Sequence, residues 1–302
     1  MKIIQTIIVG LGKVGFGNTK DYMLYRSHCY SISSLKEFQL IAAVDKKTVN
    51  RIKFEKKYKI KSYQSISKIK KKADLVIISS DTKNHYQSIK DTLRYIKPKY
   101  IICEKPFTDS YDKAKKIHII CKKYKINLYV NYVRRCLPSV IKLKNFLNKN
   151  DNKYYLKVFY PTGLLNNGSH FIDLCTFFFG RNVSLERIGY IKKNKLKNDF
   201  NVKFKIKFKN ALAEFFPCPK SKGSTIIIRS NKFNLLWKKG KKIEVIFNTK
   251  NNNKKLIESD MKSYQYYVMR EFLKKVNHQK SNICTSAESL KTQEIIKKLK
   301  KI

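Results

Sequence analysis

Two short patterns in the sequence set chemically useful residues at readable spacings. The first is Gly10-Leu11-Gly12-Lys13-Val14-Gly15, directly after the apolar run Ile7-Ile8-Val9. Glycine at the first place permits a tight strand-to-helix turn. At the second it lets backbone approach a pyrophosphate, and at the third it lets a helix pack closely on the strand. The start of such a helix offers amide donors and partial positive charge to phosphate oxygens. Glycine turns also occur as plain structure, but the buried-strand run just before this one favours a dinucleotide site over Gly10, Gly12, Lys13, Val14 and Gly15. The second pattern is Cys103-Glu104-Lys105-Pro106, which follows another apolar run and sets a cation at the carboxyl edge of a parallel sheet, where such sheets bind ligands. A lysine held by the following proline is a credible polar catalyst.

A carboxylate stands at Asp45, at the end of Ala43-Val44-Asp45, where it would accept hydrogen bonds from an adenosine ribose diol. Asp45 favours NAD over NADP, whose 2′-phosphate it would repel, while Lys46 and Lys47 offset that repulsion and keep NADP open. The alternative for Asp45 is a solvated strand end. Its distance from Gly15 is longer than the roughly twenty residues usual for this pattern, and the extra length is expected between Tyr25 and Lys36, as a loop or an extended helix.

The elements that must position these residues follow two rhythms. Through residue 130, β-branched runs alternate with amphipathic stretches, the sign of βαβ units. Strands are expected at Ile3 to Val9, Gln39 to Val44, Leu75 to Ser79, Tyr100 to Cys103 and Leu128 to Asn131, with helices near Thr48 to Tyr58, Asn84 to Tyr95 and Tyr111 to Tyr124. Beyond residue 150, strand-like stretches such as Phe200 to Phe208, Leu212 to Pro217 and Thr225 to Arg229 run in series, as in an antiparallel sheet. Two helices close the chain, near Tyr264 to Val276 and from Ser286, the latter opened by a Thr285/Glu288 capping box. The fold class is therefore α/β: a doubly wound parallel Rossmann sheet over residues 1–127, then an α+β domain with a mainly antiparallel sheet over 128–302.

Composition narrows the partners. The formal net charge is +46, yet 58 of the 67 basic residues are Lys and they run through every segment, the profile of an AT-rich coding sequence. Specific nucleic-acid readers exploit arginine forks, so no specific nucleic acid is expected. The seven cysteines include no Cys-x-x-Cys pair, which fits a reducing cytoplasm, and no metal is expected. The opening apolar stretch is far too short to cross a bilayer, so no membrane association is expected either.

With these motifs on the page, the chain resembles the glucose-fructose oxidoreductase and inositol dehydrogenase family (Gfo/Idh/MocA). The likeness rests on Gly-x-Gly-x-x-Gly, the Ser80-Asp81-Thr82-Lys83-Asn84-His85 turn, Glu104-Lys105-Pro106, Asn131-Tyr132-Val133-Arg134-Arg135 with Pro138, and Gly168-Ser169-His170-Phe171-Ile172-Asp173, in the family's order. The resemblance implies a sugar dehydrogenase using NAD or NADP. Ser80, Asp81, His85 and Glu104 would join the cofactor side, and Lys105, often in a cis Lys-Pro bond, would contact nicotinamide and substrate. His170 would act as acid or base; imidazole titrates near neutrality, and a cation beside the reacting oxygen stabilises its developing charge. Asn131, Arg134, Arg135, Asp173 and, more weakly, Tyr160 would face substrate. Arg134 and Arg135 equally suit bracing of the domain junction, and Asp173 the orienting of a helix.

One position departs from the family pattern. Asn166 stands where many members carry Asp, and an amide cannot take a proton. By resemblance, Asn at this place goes with members acting on nucleotide-linked sugars for surface polysaccharides. The resemblance also implies a homo-oligomer through the C-terminal sheet. Two other readings stay open: a non-catalytic dinucleotide-binding regulator, and a redox-neutral NAD-dependent sugar lyase or hydrolase. A charge this diffuse predicts that retention on random-sequence DNA is present at low ionic strength and lost in moderate salt. A fluorescence-anisotropy salt titration checks it; salt-resistant, sequence-selective retention contradicts it.

Overall fold

The computed structural model describes residues 3–17, 27–149, 153–193, 199–218, 223–238, 242–248, 253–257 and 261–301. The chain divides into two compact units, one of residues 1–136 with 262–290, the other of 137–261 with 291–302. This differs from a single cut after residue 127: the last strand of the first sheet and a helix from the far end of the chain both belong to the first unit.

That first unit is built on strands β1 (Ile4–Val9), β2 (Phe38–Val44), β3 (Ser62–Tyr63), β4 (Leu75–Ile78), β5 (Tyr100–Glu104) and β6 (Asn127–Asn131). They pair in the order β3-β2-β1-β4-β5-β6, every pair parallel. Parallel strands are covered on both faces, which is why Leu75 to Ile78 reads as an unbroken apolar run and is wholly buried. Helices α1 (His28–Ser33), α2 (Thr48–Tyr58), α3 (Thr82–Tyr95) and α4 (Tyr111–Lys123) connect the strands. On one side of the sheet Ile7, Val9, Val76 and Ile101 pack with Ile89 of α3 and Ile117 of α4. On the other, Ile8, Ile77 and Ile102 pack with Phe54 of α2 and with Val268, Met269 and Phe272 of α7 (Tyr264–Val276). Burying each of those three α7 side chains is worth roughly 1.5–3 kcal/mol before conformational entropy, enough to recruit the helix to this unit.

The second unit carries β7 (Tyr154–Tyr160), β8 (Asn182–Lys193), β9 (Phe200–Phe208), β10 (Ala211–Pro217), β11 (Thr225–Arg229), β12 (Phe233–Lys238), β13 (Ile243–Phe247) and β14 (Lys254–Ile257). The sheet order is β14-β13-β12-β11-β7-β10-β9-β8, antiparallel except for the β7/β10 pair. Burial alternates along β7 and β10, as expected when one face meets a core. On that face, aromatic side chains of α5 (Pro138–Lys149) and α6 (Ser169–Phe179) meet the sheet: Phe146 packs on Phe233, and Phe179 on Tyr154 and Phe208. The final helix, α8 (Ser286–Lys301), starts with the expected capping box: Glu288 N donates to Thr285 Oγ1 at 3.3 Å, and Thr285 N to a Glu288 carboxylate oxygen at 2.9 Å. No helix among the described residues is long and apolar enough to cross a membrane.

The order of the first sheet reverses between β1 and β4, so the loops leaving these strands part and open a crevice at their carboxyl ends. The glycine turn follows β1 there. Gly10 has φ +98°, and a Cβ on it would lie 2.5 Å from Ser80 N; a Cβ on Gly15 would lie 1.9 Å from the Gly10 carbonyl oxygen. Because that neighbour is backbone, relief requires the turn itself to move. Gly15→Ala is expected to lower stability by about 3 kcal/mol in thermal or urea unfolding; a variant within 0.5 kcal/mol of wild type, roughly the noise of a neutral surface change, contradicts the close approach.

Candidate functional site

The glycine turn is held by groups from both flanking strands. Gly10 N donates to Val44 O at 2.8 Å, and Ser79 Oγ donates to Gly10 O at 2.8 Å. The Asp45 carboxylate accepts from Leu11 N and from Lys47 N, each at 2.7 Å. Asp45 thus shapes the turn directly as well as facing the cavity beside it, which measures about 520 Å³ and is also bordered by Gly10, Gly12, Lys47, Ser80 and Gln87. A Cβ built on Gly12 meets nothing within 4 Å. Two glycines that backbone forbids to change, and a third that nothing in the protein constrains, form a cradle suited to a ligand at close range. Lys13 is exposed and Val14 half-buried on the same turn.

The helix expected to start within this motif is interrupted. Residues 12–17 make one turn, with Phe16 N donating to Gly12 O. His28 N then donates to Val14 O and Cys29 N to Gly15 O, both at 2.9 Å, so α1 resumes where that turn stops. Of the Tyr25 to Lys36 segment, the described part holds α1, the helical form of the expected extra length, while Tyr25 and Arg26 lie outside the described residues.

On the far side of the turn, Asp81 is exposed at the N-cap of α3 without a side-chain cap bond, and Ser80 is half-buried. His85 is buried, and its ring is taken up by backbone: Nδ1 lies 3.0 Å from Pro106 O and Nε2 2.7 Å from Ser80 O. It ties the loop after β4 to the loop after β5, a different task from the cofactor contact expected of it.

Glu104 and Lys105 end β5, and the Lys105-Pro106 bond is cis. Glu104 Oε1 receives His28 Nε2 at 2.8 Å, Asn131 Nδ2 at 2.5 Å and Gln265 Nε2 at 3.1 Å. Burial pushes the Glu104 carboxyl up, but the His28 hydrogen bond and charge, Asn131 and the Lys105 charge outweigh it and leave the group below the usual carboxylate range. Asn131, expected to face substrate, is 1% exposed and spends its amide donors on Glu104 and on Gln265 Oε1. Arg135 is buried as well, its guanidinium bound to Glu288 Oε1 at 2.9 Å, so it anchors the cap of α8. Arg134 is half-buried on the same turn.

In the second unit Tyr160 is fully buried. Its hydroxyl donates to Val202 O at 2.6 Å and accepts from Val202 N at 3.0 Å, which is the work of a strut between β7 and β9 and not of a substrate contact. Asn166 is exposed on a π-helical turn spanning Leu164–Gly168, and His170 and Asp173 are buried on α6 directly after it. That turn hangs on a residue with no obvious marker in the sequence: Asp199 accepts from Leu165 N at 2.8 Å and Asn166 N at 3.0 Å. Gly163, at φ +94°, fits against the same carboxylate. His28 and Gln265 were likewise missed. The single signal for His28 was its place after the glycine motif, hidden by the interposed residues; a lone Gln265 in an amphipathic helix carries none. Among the described residues no group of three or more His, Cys, Asp or Glu could hold a metal ion.

A doubly wound sheet with this turn defines a dinucleotide-binding unit. Residues 4–132 match the model of the oxidoreductase family with an NAD-binding Rossmann fold, GFO_IDH_MocA. No curated protein matches the sequence. Among solved structures, the chain is similar to a dehydrogenase (MviM) from Clostridium difficile at 19% identity and TM-score 0.79, with 100% of each chain covered. It is similar to the UDP-N-acetylglucosamine 3-dehydrogenase GnnA from Acidithiobacillus ferrooxidans at 12% identity and TM-score 0.78, covering 99% of this chain and 97% of that one. An oxidoreductase from Agrobacterium radiobacter, in complex with NAD+, L-tartaric acid and magnesium, aligns at 15% identity and TM-score 0.75, covering 97% and 94%. At these identities the likeness is one of fold.

Glu288 links the site's turn to folding. Burial raises its carboxyl, but Arg135 and the Thr285 hydrogen bonds prevail and hold it below the ordinary range. A depressed carboxylate contributes stability that is present above its unfolded value and is lost as pH falls through its folded one. Between about pH 6 and pH 3, the melting temperature of the wild type is expected to fall more steeply than that of Glu288→Gln. Parallel curves contradict the assignment.

Proposed function

We propose that the protein is an NAD(P)-dependent oxidoreductase acting on a CH–OH carbon of a sugar or nucleotide-linked sugar. The observation that carries this reading is the open Gly12 cradle in the same unit as Lys105, at the carboxyl end of β5. When bound, the nicotinamide supplies the hydride acceptor or donor. The chain's part is to hold the pyrophosphate against Gly10 to Gly15, to set Asp45 toward the adenosine ribose, and to direct the Lys105 ammonium at the reacting oxygen. His170 moves the proton to or from that oxygen. Asn166 and Asp173 orient the sugar, and Arg134 takes an anionic group of the substrate, which a nucleotide-linked sugar would provide. Asn131, Arg135 and Tyr160 act from behind, given the bonds that occupy them.

The similarity to a UDP-N-acetylglucosamine dehydrogenase supports the substrate class, and with it a role in surface polysaccharide synthesis. Seven free cysteines, six of them buried, support a cytoplasmic setting. The face of the second sheet bearing Phe159, Phe216, Ile227 and Leu236, all half-buried, supports pairing with a second copy. Asp45 supports NAD as the preferred form.

The test is a panel of UDP- and dTDP-sugars and free polyols with NAD, read as reduced nicotinamide at its absorbance band. At least one is expected to turn over, and Lys105→Ala to lower kcat about a hundredfold or more. Absence of reduced or consumed cofactor in both directions, or residual turnover that survives Lys105→Ala, overturns the reading.

A further inference from the structure

The cavity beside the glycine turn does not end at Gly12 and Asp45. Its wall continues along α3, where Asn84, Gln87, Ser88 and Asp91 line it. These residues stand at i, i+3, i+4 and i+7, which is one face of a helix, and the step from Asn84 to Asp91 extends the wall by about 10 Å. Ile66, in the turn Ile66–Lys68 after β3, adds a buried apolar side chain to the same cavity. All of these residues belong to the first unit. Hydrogen bonding on the α3 face is not symmetric. Gln87 Nε2 donates to Asp91 Oδ1 at 2.7 Å. A carboxylate only accepts, so it fixes which end of the Gln87 amide carries the nitrogen and turns the carbonyl oxygen, Oε1, the other way. The pair is then rich in acceptors: Gln87 Oε1 and the second Asp91 oxygen stand against the one remaining amide N–H. Asn84 and Ser88 can each donate or accept, and select nothing by themselves.

We propose that this end of the cavity is a base-reading subsite for the dinucleotide, in which Gln87 and Asp91 accept the exocyclic amine of adenine while Ile66 packs on the ring. The inference deepens the dinucleotide reading and rests on it, but it needs no substrate. Adenine carries an amine with two N–H donors at its six-position. Hypoxanthine carries a carbonyl oxygen there instead, on a ring of nearly the same shape. Packing on the ring face holds the two bases alike, so any discrimination has to come from the polar edge. With hypoxanthine the carbonyl meets the Gln87 and Asp91 oxygens, acceptor against acceptor, and the bonds adenine would make are lost. Gln87 is exposed and Asp91 half-buried, so water replaces part of that loss and the selection is moderate. Gln87 and Asp91 are thus specificity-determining residues for the cofactor, two and three turns into α3 and well past the glycine turn.

The experiment titrates NADH and reduced nicotinamide hypoxanthine dinucleotide into the intact full-length protein, each followed by the fluorescence of its nicotinamide. The two ligands differ only at the base. The wild type is expected to bind NADH about tenfold more tightly than the hypoxanthine form. Gln87→Met, a change at an exposed position, is expected to keep the melting temperature and bring that ratio close to one by weakening NADH alone. Asp91→Asn releases the Gln87 amide to turn over, and is expected to lower the ratio as well. Equal binding of the two ligands by the wild type overturns the subsite, and so does a preference that survives both substitutions. Failure of NADH itself to bind is a different result: it removes the dinucleotide reading, and the subsite with it.

Discussion

The first unit depends on a backbone approach too close for any side chain. Gly15 lies against the carbonyl of Gly10, and Gly10 against the backbone of Ser79 and Ser80, so the loops leaving β1 and β4 touch at the point where the sheet order reverses. Ser79 Oγ and the Asp45 carboxylate complete the joint by satisfying groups the tight turn would leave bare. Asp45 is therefore committed twice, to the Leu11 amide of the turn and to the cavity it borders, and substitutions there would disturb the turn along with any ribose contact.

A second point of convergence lies at the end of β5. His28 N and Cys29 N bond back to Val14 O and Gly15 O of the glycine turn, which sets His28 beside Glu104. The same carboxylate collects Gln265 from a helix that comes late in sequence and packs its Val268, Met269 and Phe272 into the core of the first unit. The Arg135–Glu288 pair repeats this logic on a smaller scale, joining the turn after β6 to the capping box of α8. In both cases a buried polar group is retained where its donors come from segments that hydrophobic burial alone would leave free to slide.

The sheet of the first unit was legible because parallel strands buried on both faces read as continuous apolar runs, and the two closing helices because their periodicity and the Thr285/Glu288 pair are local signals. The two-residue strand β3 and the outer strands β12 to β14 were not, since short strands with mixed Lys, Asn and aromatic residues show no clear alternation. For the site, residue types whose role is set by local backbone were readable: Gly10, Gly15, Lys105 before its cis proline. Roles set by long-range contacts were not. Asn131, Arg135 and Tyr160 read as substrate contacts, and each proves to be occupied by a partner far along the chain: Gln265, Glu288 and Val202. The joining of residues 262–290 to the first unit was not legible either, because nothing local in α7 says which core it enters.

A dinucleotide lying in the cradle over Gly12 would leave a direct signature in the free protein. A side chain at Gly12 would enter open space and leave the fold untouched, while it would occupy the volume a pyrophosphate needs. Titrating NADH into the wild type and into Gly12→Val, followed by the fluorescence of the bound nicotinamide, is the direct measurement. Saturable binding to the wild type and its loss in the variant, with an unchanged melting temperature, is expected; equal affinity in both proteins would contradict a dinucleotide at Gly12.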